Sequence, residues 1–122
     1  MLTLPPSIRI FVATRPADMR RSFDGLLALV RQFLGSHEDP LAGHLFVFRN
    51  RVGDRLKILW WDRDGLALFY KRLEVGGFAF PMPPADAQQI ELTAADLQLI
   101  LQGIDPAKVQ RSPRYSRPAT VG

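Results

Sequence analysis

Three apolar stretches follow one another between Gly43 and Pro81, at 44–49, 55–61 and 66–73, each set off by a turn signal. Asn50 to Asp54, with Gly53, can turn the first pair, and Asp62-Arg63-Asp64-Gly65 the second. Turns this short join antiparallel neighbours. In the middle stretch Leu56, Ile58 and Trp60 share one face, while Lys57, Leu59 and Trp61 share the other, because side chains alternate along a strand. Neither face is cleanly polar. One therefore packs on a helix, and the other keeps apolar area that a loop, a second helix or a partner must cover.

The flanks supply such helices. Ile8, Ile10 and Val12 alternate with Arg9, Phe11 and Ala13 as a short strand, which Thr14-Arg15-Pro16-Ala17-Asp18 breaks. Asp18 is the expected N-cap of an amphipathic helix with Met19, Phe23, Leu26, Leu27, Val30, Phe33 and Leu34 on one stripe and Gly35-Ser36 as its stop. Gly25 within it costs on the order of 1 kcal/mol against Ala and is expected to mark close packing on the sheet. Gly76-Gly77 breaks the strand pattern, Phe78-Ala79-Phe80 reads as a further short strand, and Pro81, Pro83 and Pro84 as a stiff connection. Thr93 opens a second helix, with Asp96 at the capping-box position and Gly103 as its end. The expectation is an α+β fold: a mainly antiparallel sheet of three to five strands, one long helix packed on one face, and a smaller C-terminal helix. Residues 1–105 form the single domain, and 106–122 a basic, mobile tail.

The 122 residues contain no cysteine, which excludes disulfides, thiolate zinc sites and a thiol nucleophile. The N-terminus lacks the basic and apolar regions of a signal peptide, and no stretch nears the ~18 apolar residues of a membrane span. A soluble cytoplasmic protein with no membrane contact is expected. Charge is segregated. Residues 1–74 hold twelve Lys or Arg and eight Asp or Glu; residues 75–107 hold four acids and no base; residues 108–122 hold four bases and no acid. Such segregation suits a polyanionic partner or an internal charge contact.

Catalytic chemistry finds little support. Asp62 and Asp64 have the spacing to share a divalent metal, but aspartate is also favoured in hairpin turns, and the turn is the preferred reading. His37 and His44 sit in no ligand motif, the serines in no nucleophile elbow, and Gly76-Gly77 in no phosphate loop. No catalytic residue, metal site or cofactor is expected. Arg49, Arg51, Arg55 and Lys57 instead cluster around one turn, Lys71 and Arg72 close the third strand, and Trp61 lies between them in sequence. Arg20 sits in the first turn of the expected helix, where the dipole disfavours a cation. These residues, with Arg111 and Arg114 of the tail, suit phosphate neutralisation and base stacking. The alternative is a tryptophan core with cations guarding strand edges.

Asp18-Met19-Arg20, Phe23-Asp24-Gly25-Leu26, Gly43-His44-Leu45-Phe46-Val47-Phe48-Arg49, Asp54 through Asp62 and Lys71-Arg72-Leu73-Glu74 carry a resemblance. In that order they resemble the TnpB, or second-reading-frame, accessory proteins of bacterial insertion sequences of class sixty-six, which are distinct from the RNA-guided nuclease of the same name. The resemblance runs from about Pro5 to Pro81 and again at Leu101–Asp105; Ser22 and Phe80 depart from it. It implies a role in transposition beside a separate, larger transposase, with no known catalytic activity. Together with the basic and aromatic residues it gives the leading reading, a non-enzymatic accessory protein that binds that transposase, the DNA of the element ends, or both. It supplies no active site. The shared positions are Asp18, Arg20, Arg49, Lys57, Trp61, Asp62, Lys71 and Arg72. The second reading is a protein-interaction or dimerisation module, with a homodimer built on the doubly apolar sheet; the third is a metal-dependent nuclease using Asp62 and Asp64.

Overall fold

A computed structural model describes residues 7–33 and 39–109. In chain order the elements are β1 (Ile10–Ala13), α1 (Phe23–Phe33), β2 (Leu45–Arg49), β3 (Arg55–Asp62), β4 (Gly65–Arg72), β5 (Gln89–Leu92) and α2 (Ala94–Leu101), followed by a 3-10 turn at Pro106–Lys108. The five strands form one sheet in the order β4-β3-β2-β1-β5. The β2–β3, β3–β4 and β1–β5 pairs are antiparallel. β1 and β2 run parallel, which their long connection through α1 permits. The α+β expectation holds, with one parallel pair inside a mostly antiparallel sheet.

Both faces of the central strands are buried, and strand alternation sorts their side chains into two cores. Ile10, Val12, Leu45, Val47, Leu56 and Ile58 face one way and pack with Leu97, Ile100 and Leu101 of α2 and with Phe78. Phe11, Ala13, Phe46, Phe48 and Leu59 face the other way and pack with Leu26 and Val30 of α1. Phe11 and Phe46, partners in register, stack with ring centroids 5.7 Å apart. The apolar area left over by the first helix is thus covered by the second helix and the Phe78–Phe80 segment, within the chain.

Four details depart from the sequence expectations. Asp18 does not cap α1, which begins at Phe23. Its carboxylate accepts instead from the Arg20 backbone N–H (2.9 Å) and from the Arg20 guanidinium (2.8 Å), in a turn closed by Arg21 N–H on Asp18 C=O (3.0 Å). The Met19 and Arg21 carbonyls are turned to Lys57, whose Nζ donates to each at 2.7 Å, so the helical ladder starts only at Leu26 N–H on Ser22 C=O. Phe23, placed on the apolar stripe by its spacing, is 42% exposed. Gly25 faces no strand: a Cβ there would meet the Arg21 side chain at 3.2 Å. Phe78-Ala79-Phe80 forms no strand, since the neighbouring prolines cannot join a ladder, and the fifth strand is Gln89–Leu92. The expected stop at Gly35-Ser36 lies outside the described residues.

α2 follows its signals closely. Thr93 Oγ1 accepts from Asp96 N–H at 3.1 Å. Gly103, at φ +79°, ends the helix with its N–H on Ile100 C=O and Ile104 N–H on Leu99 C=O, the paired bonds of a Schellman motif. Lys71 Nζ donates to Leu101 C=O at 2.7 Å, placing a cation at the negative end of the helix dipole.

Lys57 is the one buried charged side chain among the described residues, at 5% exposure; its two carbonyl bonds are joined by the Tyr70 ring, 4.6 Å from Nζ. Replacing it with Met keeps the volume but unpairs both carbonyls. Lys57→Met is expected to lower unfolding stability by about 2 kcal/mol in urea titration. Thr93→Ala removes only the cap and is expected to cost about 1 kcal/mol in the same measurement.

Candidate nucleic-acid interface

The strand directions bring several loops to one end of the sheet. β1 and β2 finish there, β3 starts there, β4 finishes there and β5 starts there. The β2–β3 turn projects from this end and is held from within by Asn50. Asn50 Oδ1 accepts from Gly53 N–H and Arg55 N–H, both at 3.0 Å, and its Nδ2 donates to Asp54. Gly53, at φ +86°, takes the left-handed conformation that this turn needs. The turn is tied to the neighbouring loop by Ala17 N–H on Arg49 C=O (2.8 Å) and by Arg49 Nη2 on Thr14 C=O (2.8 Å).

A shallow open groove lies between the Ala17–Arg20 segment and this turn, and Arg20, Arg51 and Arg55 all line it, with Asp18 and Asp54. Arg51 is exposed at the tip and makes no hydrogen bond or ion pair with a described residue. Arg55 Nη1 donates to the Tyr70 hydroxyl at 3.2 Å. In register, Arg55 stands directly opposite Arg72, whose guanidinium pairs with Glu74 at 3.0 Å. Like charges opposed across strands are unfavourable, so the Arg55–Arg72 pair is held in place by the rest of the fold. Arg49 and Lys57 are satisfied by carbonyl oxygens, not carboxylates, so their charges still add to the local positive field.

The sequence-derived set is therefore divided. Arg20, Arg51, Arg55 and Arg72 are exposed or half-exposed at the basic end. Arg49 is there too, half-buried and engaged with backbone. Lys57 is buried, and Lys71 is engaged with the α2 C-terminus. Trp61 lies at the far end of β3, roughly 20 Å along the strand from Arg55, with its indole N–H on Arg63 C=O at 3.1 Å. Arg111 and Arg114 lie outside the described residues. The aromatic that accompanies the cations is Tyr70, 46% exposed between Lys57 and Arg55. Its signal was its position in the third stretch, across an antiparallel pair from Lys57.

At the opposite end, Asp62 and Asp64 belong to the β3–β4 turn, with Asp64 N–H on Asp62 C=O at 2.6 Å around Arg63 at φ +57°. Among the described residues no group of three or more His, Asp or Glu side chains gathers into a metal site. His44 Nδ1 accepts from Arg9 N–H at 2.9 Å, and its ring meets Phe11 edge-on. His37 lies outside the described residues. No helix among them is long and apolar enough to cross a membrane.

The Arg20 guanidinium and backbone N–H hold the Asp18 carboxyl at about 2, below its ordinary value, and Asp18 in turn raises Arg20. A depressed carboxylate stabilises the fold above its unfolded pKa of about 3.9 and loses that contribution as pH falls through its folded value. Titration of Asp18 followed by NMR is expected to show a midpoint near pH 2, moving back toward the ordinary range in Arg20→Ala.

The chain matches the IS66 Orf2 like protein family over residues 8–111. It is 40% identical over 114 residues to y4jC of Sinorhizobium fredii, covering 93% of each chain, and 40% identical over 123 residues to y4hO of the same strain, covering the full length of both. Both are described as uncharacterized proteins. No solved structure matches. The match spans every motif from Asp18 to Glu74, and the chain belongs to the IS66 Orf2-like accessory proteins of bacterial insertion sequences.

Proposed function

We propose that this accessory protein assists transposition without chemistry of its own, by binding DNA of the element ends at the basic end of its sheet. The observation that supports it is the convergence of Arg20, Arg51 and Arg55 on one groove beside the like-charged Arg55–Arg72 pair. Phosphates relieve the repulsion within such a pair, and a preset turn lowers the entropy of engaging them. Arg51 and Arg55 contact phosphate, Arg20 and Arg72 exchange a carboxylate partner for phosphate, and Tyr70 offers a ring edge to an adjacent sugar or base. Arg111 and Arg114, bases free of neighbouring acids in the sequence, add further phosphate contacts. Lys57 and Lys71 act from behind, by holding the Met19–Arg21 turn and α2. The site of action is the bacterial cytoplasm, where the DNA is.

A second contact, with the transposase, is supported by a separate observation. Val52 (82% exposed) and Met82 (92% exposed) border a groove beside Arg51, and Val75 (90% exposed) projects from the loop next to Gly53. Exposed aliphatics beside cations suit a protein partner with an apolar and acidic surface.

Element-end duplex is expected to bind with an affinity that falls steeply as salt rises. Arg51→Ala with Arg55→Ala is expected to reduce the slope of log K against log salt by about 2 while leaving the fold intact. Absence of binding at low salt, in protein that still co-purifies with the transposase, rejects the DNA contact. Val52→Asp with Met82→Asp is expected to abolish that co-purification and to spare the salt slope.

A further inference from the structure

The two edges of the sheet are treated differently. β5 is four residues long, carries Glu91 paired with Arg9 at 2.8 Å, and follows Pro81, Pro83 and Pro84; short, charged and proline-flanked edges resist pairing. β4 is eight residues long, and its run Gly65-Leu66-Ala67-Leu68-Phe69-Tyr70 contains no charge and no proline. Leu73 N–H bonds Asp54 C=O at 2.8 Å, which makes that pair an exchanging one. Exchanging and non-exchanging pairs alternate in an antiparallel ladder, so residues 65, 67, 69 and 71 turn their backbone to β3. Leu66, Leu68, Tyr70 and Arg72 then direct theirs outward, where no described strand lies.

From this edge we infer that β4 pairs with β4 of a second copy of the chain, antiparallel about a two-fold axis through Leu68. Charge complementarity selects the occupant and the register. β4 is preceded by Asp64 and ends in Arg72, so antiparallel pairing of two copies opposes unlike charges at both ends. With Leu68 opposite itself, Leu66 meets Tyr70 of the second copy and Asp64 meets its Arg72. A shift that preserves the outward hydrogen bonds sets Asp64 against Glu74 or Tyr70 instead, and loses the ion pairs. The half-buried Leu66 and Leu68 and the exposed Tyr70 gain cover on the α1 face. The two-fold sends the two basic ends in opposite directions, so a dimer presents them to two separate partners. The inference rests on β4 and does not require DNA; because Tyr70 and Arg72 also belong to the proposed DNA contact, its test is made without DNA.

Sedimentation velocity of the full chain without DNA is expected to show a concentration-dependent species of twice 13.8 kDa. Hydrogen exchange at the Leu68 and Tyr70 amides is expected to slow as that species forms. Asp64→Arg and Arg72→Asp are each expected to weaken the dimer by about tenfold, and the combined swap to restore it. Arg51→Ala is expected to dimerise as the native chain does. A monomer at every concentration overturns the inference, as does a dimer in which the Leu68 and Tyr70 amides exchange as fast as in the monomer. Protection of those amides only after transposase is added overturns it as well, and assigns the edge to a strand of that partner.

Discussion

Burial of both faces of β1, β2 and β3 is the constraint on which the rest of this protein depends. Antiparallel sheets commonly leave one face to water, but here alternate residues of the central strands are apolar on each side. Two independent covers are then obligatory. α1 supplies one and α2 with Phe78 supplies the other. The crossover through α1 makes β1 and β2 parallel, and the chain must return past β1 as β5 before α2 can dock. Topology here follows from the need to cover two faces with one short chain.

Lys57 is the exception within that apolar arrangement, and it organises the end of the sheet where the arginines gather. A lysine at the centre of a sheet must find acceptors, because a buried unpaired ammonium is strongly unfavourable. It finds them in the Met19 and Arg21 carbonyls, and in doing so unwinds what would have been the first turn of α1. The unwound segment becomes one wall of the Arg20–Arg51–Arg55 groove. A residue read as a ligand contact therefore acts one step back, by shaping the surface on which other cations stand. Lys71 behaves alike: its charge serves the C-terminus of α2, whose orphan carbonyl at Leu101 needs a donor.

Membership of the IS66 Orf2-like family gives this geometry its setting. Two kinds of surface adjoin along β4. One is the basic sheet end, with its preset turn and an opposed arginine pair. The other is the β4 edge, long and uncharged where the β5 edge is short and guarded. Asp62 and Asp64 lie at the opposite end of the sheet, exposed in the tight β3–β4 turn around Arg63.

What the residues determined by themselves was local and periodic. Alternation placed β2, β3 and β4 to within a residue or two, turn residues set their antiparallel order, and Thr93 with Gly103 bounded α2, because these signals act between near neighbours. The family was also legible, since its motifs are runs of adjacent residues. Only the tertiary structure decided where α1 begins, which strand completes the sheet, and which cations meet. Asp18 looks like a cap until Lys57, thirty-nine positions away, claims the carbonyls that a helix would use. Gln-Ile-Glu-Leu is too short and polar to announce a strand until β1 offers it a ladder. Trp61 and Arg55 are close in sequence but a strand length apart in space, whereas Arg20 and Arg51 are far apart in sequence and share a groove. Periodicity speaks for one element at a time, while a binding surface is made where the ends of several elements meet.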